Sequence, residues 1–314
     1  MSKIVIARTT DMSHEEWLLA RKKGIGGSDC AAVCAMNRWR GPLDVFIDKT
    51  SSSIEDTNNE SSYWGNVLEP ILLKEFSRRT GLKTEAVPFI FQFKEYPFMI
   101  ANIDGIAHET DGSVSLLEIK TANGFAAKEW EDGLPPEYYL QIQHYLAVTD
   151  ISKSYVAVLI GGNHFKYETI ERDEETIRML IAMESAFWNN HIVTNIPPEA
   201  DATSGAILEK LYPKSDKTSV ILPEIADDLV AQIADCKSVA EDLKNAQSEA
   251  ENKLKSLMKD AEYAKTPAGY SISWKNTDTT RIDTAKLKAE LPDVYTQFSK
   301  KVSTRRFSIS NIKK

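Results

Sequence analysis

A mixed α/β fold, followed by a long helix and a small α+β module, is what this sequence predicts. Three observations carry that expectation. Over roughly the first two hundred residues, short runs of β-branched and aromatic residues alternate with longer amphipathic stretches. From Ala226 to Ala261, small and apolar residues recur at alternating steps of three and four. The last fifty residues then carry 11 Lys and Arg against 4 Asp and Glu, a basic end on an otherwise acidic chain.

The elements follow in order. Glu15 to Lys22 has helical spacing. The cluster Gly24, Gly26, Gly27 comes next, and Ser28 and Asp29 stand where an N-cap belongs, ahead of Cys30-Ala31-Ala32-Val33-Cys34. A helix is predicted from Ser61 to Thr80, stopped by Gly81. Strands are predicted over Val87 to Phe93, Phe98 to Ile103 and Val114 to Ile119, with Phe89, Phe91, Phe93, Phe98 and Met99 in the core. A helix over Pro136 to Ala147 precedes a hairpin, Val156 to Ile160 and His164 to Ile170, turning at Gly161-Gly162-Asn163. A helix from Glu174 to Asn190 closes the block, and Pro197, Pro198 and Pro213 mark a linker.

No Gly or Pro interrupts Glu224 to Thr266, and at 1.5 Å per residue that helix is roughly 60 Å long. Its seam is expected to pack on another helix, of a second copy or of a partner; a solvated helix docked on its own body is the plainer alternative. Short strands at Tyr270 to Trp274 and Arg305 to Ile309 are expected to flank a helix at Thr284 to Glu290. The division is therefore 1–200 core domain, 201–222 linker, 223–266 long heptad-patterned helix and 267–314 small basic module.

Composition excludes several classes. A chain of 314 residues is no disulfide-stapled miniprotein, and 42% hydrophobic residues exclude a disordered tail. Cys30, Cys34 and Cys236 match no paired zinc spacing, and three thiols cannot supply the four ligands of a usual iron–sulfur cluster. A reduced, intracellular compartment is the expectation. No apolar run opens the chain as a signal peptide, and no stretch of about 18 apolar residues spans a membrane. A formal net charge of −8 argues, on its face, against a nucleic-acid partner.

The chemistry-bearing residues argue the other way. Asp104-Gly105 is followed by Glu118-Ile119-Lys120. Period-two alternation on a strand puts Glu118 and Lys120 on one face and Ile119 on the other. Asp104, read as the end of the preceding strand, is fourteen residues away, a spacing that suits a hairpin return. Two carboxylates and an ammonium on one face are costly unless a cation fills the gap, and hard oxygen ligands suit Mg²⁺ or Mn²⁺. Such an ion polarises a phosphoryl oxygen and lowers the pKa of bound water. Glu-x-Lys alone is also a common solvated ion pair. Glu69, in Trp64-Gly65-Asn66-Val67-Leu68-Glu69, can add a further carboxylate, and Gln141 and Tyr145 share one helix face. His144 between them reads as an ordinary helix side chain.

Six motifs in order, Trp17-x₃-Arg21, Gly26-Gly27-Ser28-Asp29, Trp64-Gly-x₃-Glu69, Asp104-Gly105, Glu118-Ile119-Lys120 and Gln141-x₃-Tyr145, resemble the lambda-exonuclease-like, YqaJ-type viral recombinases. These are nucleases of the PD-(D/E)-x-K superfamily. The resemblance implies a restriction-endonuclease-like core, a central mixed β-sheet flanked by helices. It implies a deoxyribonuclease that digests one strand of linear double-stranded DNA 5′→3′ with two Mg²⁺ ions, for which Mn²⁺ can substitute. Asp104, Glu118 and the Ile119 carbonyl would bind metal, with Glu69 near the second ion. Lys120 would position the nucleophilic water and Gln141 would support it. Arg21, Ser28 and the Gly27 turn would hold the 5′-terminal phosphate. The local chemistry agrees, because glycine lets backbone N–H groups approach an anion and Arg can fork onto two of its oxygens. A plain capped turn is the alternative for that segment.

The resemblance also implies a homotrimeric ring, 3′ single-stranded tails handed to a single-strand annealing recombinase of the RecT/Red-beta type, and a phage or prophage protein working in the bacterial cytoplasm. Asn37-Arg38-Trp39-Arg40-Gly41 has no assigned counterpart, and the tail beyond about residue 215 resembles C-terminal segments of some YqaJ-type phage proteins, from which no role transfers. The competing readings are a related endonuclease or RecB-type repair nuclease, and a DNA-binding assembly module with an inert core.

Overall fold

A five-stranded mixed sheet organises the N-terminal part of the chain, and the residues of interest gather where that sheet meets a smaller one. The computed structural model describes residues 3–53, 59–302 and 304–310. The chain divides into two compact units, Met1–Leu211 and Tyr212–Lys314.

The first unit opens with β1 (Lys3–Arg8) and α1 (His14–Lys22). α1 starts at a reciprocal cap in which Ser13 Oγ accepts from the Glu16 N–H at 3.2 Å and Glu16 accepts from the Ser13 N–H at 2.7 Å. Next come α2 (Gly27–Val33), α3 (Pro42–Thr50) and α4 (Glu60–Thr80). α4 ends at Gly81, whose φ of +76° is open to glycine at no steric cost. The chain continues through β2 (Lys83–Ala86), β3 (Phe89–Phe93), β4 (Ile100–Asn102), β5 (Gly105–His108) and β6 (Val114–Ala122). Then come α5 (Pro136–Thr149), β7 (Lys153–Ile160), β8 (His164–Glu171), α6 (Glu174–Phe187) and α7 (Gly205–Leu211).

The large sheet has the order β2-β5-β6-β7-β8, and β1-β3-β4 form a separate three-stranded sheet. β6 and β7 are parallel, with Glu118 opposite Val156, while the other neighbours in the large sheet are antiparallel. A parallel pair needs a crossover, and α5 supplies it. The alternation along β6 sorts its residues by face. Leu116 joins the core that includes Ile142, Tyr145 and Leu146 of α5. Leu117 and Ile119 pack with Leu72, Leu73 and Phe76 of α4. Glu118 and Lys120 therefore stand on the α5 side.

Several expectations change. Of the predicted strand Phe98 to Ile103 only Ile100–Asn102 is extended, and it pairs with β3, not with the strand of Glu118. Asp104 thus ends no strand beside Glu118. It sits where the chain leaves the small sheet for the large one, and the hairpin partner of β6 is the short β5, with Gly105 opposite Leu117. α2 is capped by Gly26 rather than by Ser28 or Asp29. α6 stops at Phe187 and passes into a π-helical turn, Trp188–Ile192. α7 occupies part of the stretch read as linker.

In the second unit the long helix α8 runs Ile225–Met258, and its seam residues Leu229, Leu243 and Leu257 are exposed. It ends before Thr266 because Lys259 takes a φ of 51° and Tyr263–Lys265 forms β9, antiparallel to β10 (Ser271–Ser273). α9 (Thr284–Glu290) and α10 (Pro292–Phe298) follow. Arg305 to Ile309 alternates like a strand but has no ladder partner among the described residues. No helix among the described residues is long and apolar enough to cross a membrane.

Candidate active site

A cavity of about 720 Å³ is lined by Arg21, Gly27, Ser28, Glu69, Asp104, Glu118, Ile119, Lys120, Gln141 and Tyr145. Every site residue read from the sequence reaches this one cleft.

The centre is built on β6. Lys120 Nζ donates to Glu118 Oε1 at 2.7 Å, as side chains two apart on one strand face allow. Gln141, brought over that face by α5, joins both: its Nε2 donates to Glu118 Oε1 at 2.8 Å, and its Oε1 accepts from Lys120 Nζ at 3.1 Å. The same amide nitrogen also donates to the Tyr145 hydroxyl at 3.0 Å, one helical turn on. Glu118 is 3% exposed and Gln141 7%. Asp104 Oδ2 accepts the Ile119 N–H at 2.8 Å, and this bond holds it against β6 without a strand. A strand residue's N–H and C=O point the same way, so the Ile119 carbonyl faces the Asp104 side. β5 begins opposite Leu117, so among the described residues the ladder on that side stops short of Ile119.

Electrostatics mark the cluster as short of positive charge. Burial pushes the Asp104 carboxyl well up, and the charges of Glu118 and Glu69 add to the rise against Lys120 and the Ile119 N–H. Glu69, on α4, is also raised, by burial first and then by Glu118. Burial opposes the charge on Lys120, but Glu118 and Asp104 outweigh it and raise its pKa, so the ammonium keeps its proton. The ring of Tyr138 lies 4.9 Å from Lys120 Nζ and faces it. Asp104, Glu69 and Glu118 crowded together, the first two pushed toward their neutral forms, are with the Ile119 carbonyl a donor set that fits a hard divalent cation.

The other end of the cleft is an arginine held on three sides. Arg21 Nη2 donates to Ser28 Oγ at 2.7 Å, and the guanidinium lies 4.8 Å from the Trp17 ring, one helical turn before it. Trp17 Nε1 donates to Asn102 Oδ1 at 2.7 Å. The third hold is on the Arg21 carbonyl, which accepts from Lys49 Nζ at 3.1 Å. Gly27 has a steric reason: a Cβ there would lie 2.3 Å from Tyr145 Cε1 and 3.0 Å from Gln141 Cγ. Its absence lets α2 sit directly on α5, bringing Ser28 beside the carboxylate cluster.

Sequence reasoning named Asp29 in a motif and Arg40 in an unassigned segment without pairing them, and it missed Lys49. Asp29 is buried and accepts from Lys49, Arg40 and the Gly26 N–H. Trp17 and Arg21 were visible as an i, i+4 pair, but the bond to Asn102 left no local signal. His144 is a side chain of α5, as read. It is fully buried, with Nδ1 2.9 Å from Glu184 Oε1 and Nε2 2.9 Å from the Ile100 carbonyl. With Cys30 these two form the one trio among the described residues whose ligand-type atoms lie within 4.8 Å of one another. Both ring nitrogens are occupied, and burial raises the Cys30 thiol so that it stays protonated, which suits core packing rather than metal ligation.

Comparison with known proteins gives the chain's family and fold. A family model for the YqaJ-like viral recombinase domain matches residues 16–152. The uncharacterized protein YqaJ of Bacillus subtilis (strain 168) is 38% identical over 315 residues, spanning 98% of each chain. The crystal structure of LHK-Exo in complex with dAMP superposes with a TM-score of 0.50 at 22% identity, over 63% of this chain and 98% of that one. A crystal structure of the same alkaline exonuclease, from Laribacter hongkongensis, gives a TM-score of 0.49 at 23% identity, over 58% of this chain and 94% of that one. The superposition on LHK-Exo with dAMP shows a fold of the same kind. On the near full-length match and the family model, the chain belongs to the YqaJ-like viral recombinase family.

Proposed function

We propose that this protein is a divalent-metal-dependent DNA exonuclease that digests one strand of linear duplex 5′→3′ and leaves 3′ single-stranded tails. The observation that carries the reading is that one cleft holds both the carboxylate–lysine cluster and the Arg21–Ser28 pair. The first is equipped for phosphodiester hydrolysis, the second for a terminal phosphate, and together they suit cutting inward from an end.

Asp104, Glu118, the Ile119 carbonyl and Glu69 would hold Mg²⁺, which supplies a Lewis acid for the phosphoryl oxygen and lowers the pKa of water. Lys120 keeps its proton, so its Nζ acts as a donor that aligns the attacking water and the phosphoryl oxygen rather than as the base. Gln141 fixes Lys120 and Glu118 relative to each other, and Tyr145 fixes Gln141. Arg21 and Ser28 take the 5′-phosphate and set the strand's register. Tails of this kind suit a single-strand annealing recombinase, and a ring of three subunits would keep the enzyme on its substrate.

The test is digestion of end-labelled linear duplex and of closed circular duplex, each with Mg²⁺ and with chelator. Metal-dependent loss of the 5′ label from linear DNA, with circles spared, is expected. Equal attack on circles would favour an endonuclease, and no metal-dependent cleavage would favour an inert assembly module. The mass of the protein in solution tests the ring.

A further inference from the structure

We propose that Asp29, paired with Lys49 and Arg40, is a positioning residue that sets the geometry of the Arg21–Ser28 anchor and so the preference for 5′-phosphorylated ends. This rests on the reading of Arg21 and Ser28 as the end-phosphate site.

The arrangement is specific. Asp29 Oδ2 accepts from Lys49 Nζ at 2.7 Å and from the Gly26 N–H at 3.1 Å; Oδ1 accepts from Arg40 Nη1 at 3.0 Å. The side chains of Asp29 and Lys49 are each 1% exposed. Lys49 spends its second hydrogen bond on the carbonyl of Arg21 itself. One buried carboxylate thus ties the end of α1, the turn before α2, the 37–40 segment and α3 to one another, and Ser28 is its immediate neighbour. Two of these bonds end on backbone, at the Arg21 carbonyl and at the Gly26 N–H two residues before Ser28, and leave the Arg21 guanidinium and the Ser28 hydroxyl turned to the cleft.

Burying these charges needs a reason. Well-packed apolar groups hold a fold as well as a buried ion pair does, or better. What apolar groups cannot do is grip a backbone carbonyl and a backbone N–H at fixed distances. The charge count then separates two accounts. Arg21, Lys49 and Arg40 bring three positive charges around Asp29, which offsets one of them, while Asp48 lies 3.4 Å from Lys49 and 4.0 Å from Arg40. If phosphate were held by general positive potential, removing the Asp29 charge would strengthen the preference for phosphorylated ends. If Asp29 acts by position, removing it weakens that preference.

The experiment compares kcat and KM of the full chain on linear duplexes with 5′-phosphate and 5′-hydroxyl ends in Mg²⁺, alongside Tm. The variants are Asp29→Asn, the double Asp29→Asn/Lys49→Met, and Lys49→Arg. Asp29→Asn leaves the buried Lys49 with only the exposed Asp48, 3.4 Å away, as counter-charge and is expected to lower Tm; the double variant, which removes the buried charge pair at similar volume, is expected to recover it. In both, digestion of hydroxyl ends should stay close to the parent's, while the advantage of phosphorylated ends falls on the order of tenfold, chiefly through KM. Lys49→Arg should keep much of the advantage. A double variant with parental Tm and an unchanged or increased phosphate advantage would overturn the proposal, as would equal losses on both ends. If the parent protein itself does not distinguish the two ends, the end-phosphate reading of Arg21 and Ser28 fails first, and that failure is visible without any variant.

Discussion

The indole N–H of Trp17 donates to the Asn102 side chain at 2.7 Å, and that bond joins the two halves of the site. Trp17 sits on α1 under the Arg21 guanidinium; Asn102 ends β4, two residues before Asp104. This contact between residues 85 apart in sequence adds to the packing of α2 on α5 in holding the end anchor and the carboxylate cluster in register.

Trp17 should matter more than its distance from the carboxylates suggests. Trp17→Ala removes a ring under Arg21 and a partly buried hydrogen bond, each worth about 1 kcal/mol. A drop of roughly 30-fold in kcat/KM on phosphorylated ends is expected. Trp17→Phe keeps the ring and loses the bond, and should lie between. Steady-state kinetics on one duplex checks the order.

Gly27→Ala tests the packing of α2 on α5. The new methyl would meet the Tyr145 ring at 2.3 Å, so one helix must move. A destabilisation of about 1–3 kcal/mol is expected. Activity should fall further than stability explains, because Ser28 and Gln141 ride on the two helices that separate. Denaturant titration and digestion rate, measured on one preparation, give both numbers.

Acid stability should report Asp29. Burial alone would raise its pKa, but Lys49, Arg40 and Arg21 hold it far below the ordinary value of 3.8. Its contribution is complete above that value and is lost as pH falls from about 4 toward the folded-state pKa, since the unfolded chain takes up the proton first. In Asp29→Asn that loss is absent, so the stability gap between parent and variant should be widest near neutral pH and narrow below pH 4. Unfolding free energies measured by denaturant across pH 2.5–7 would show it. A gap that stays constant would contradict the ionised, paired state.

The fold was legible where the signal is local. Gly81 stopped α4, the Gly161-Gly162 turn made a hairpin, and alternation in Glu118-Ile119-Lys120 placed two functional side chains on one face. Short strands such as Gly105–His108 escaped because four residues carry almost no periodicity, and with β5 unseen Asp104 was attached to the wrong sheet. The Asp29–Lys49 pair and the His144–Glu184 pair join residues 20 and 40 apart. Charges that meet only after folding leave no pattern in a window of sequence. The heptad seam of α8 was read from spacing, which sets a helix face and not what covers it.

The net charge of −8 also has a physical place. Part of it is the cluster of Glu69, Asp104 and Glu118, which cations would offset locally.

Lys120→Ala is the most direct test of the site. Purified to homogeneity and supplied with Mg²⁺, the variant should bind linear duplex about as well as the parent, while release of nucleotides from labelled ends falls by at least about 100-fold. Full digestion by such a preparation would show that the Asp104–Glu118–Lys120 cluster is not where the DNA is cut.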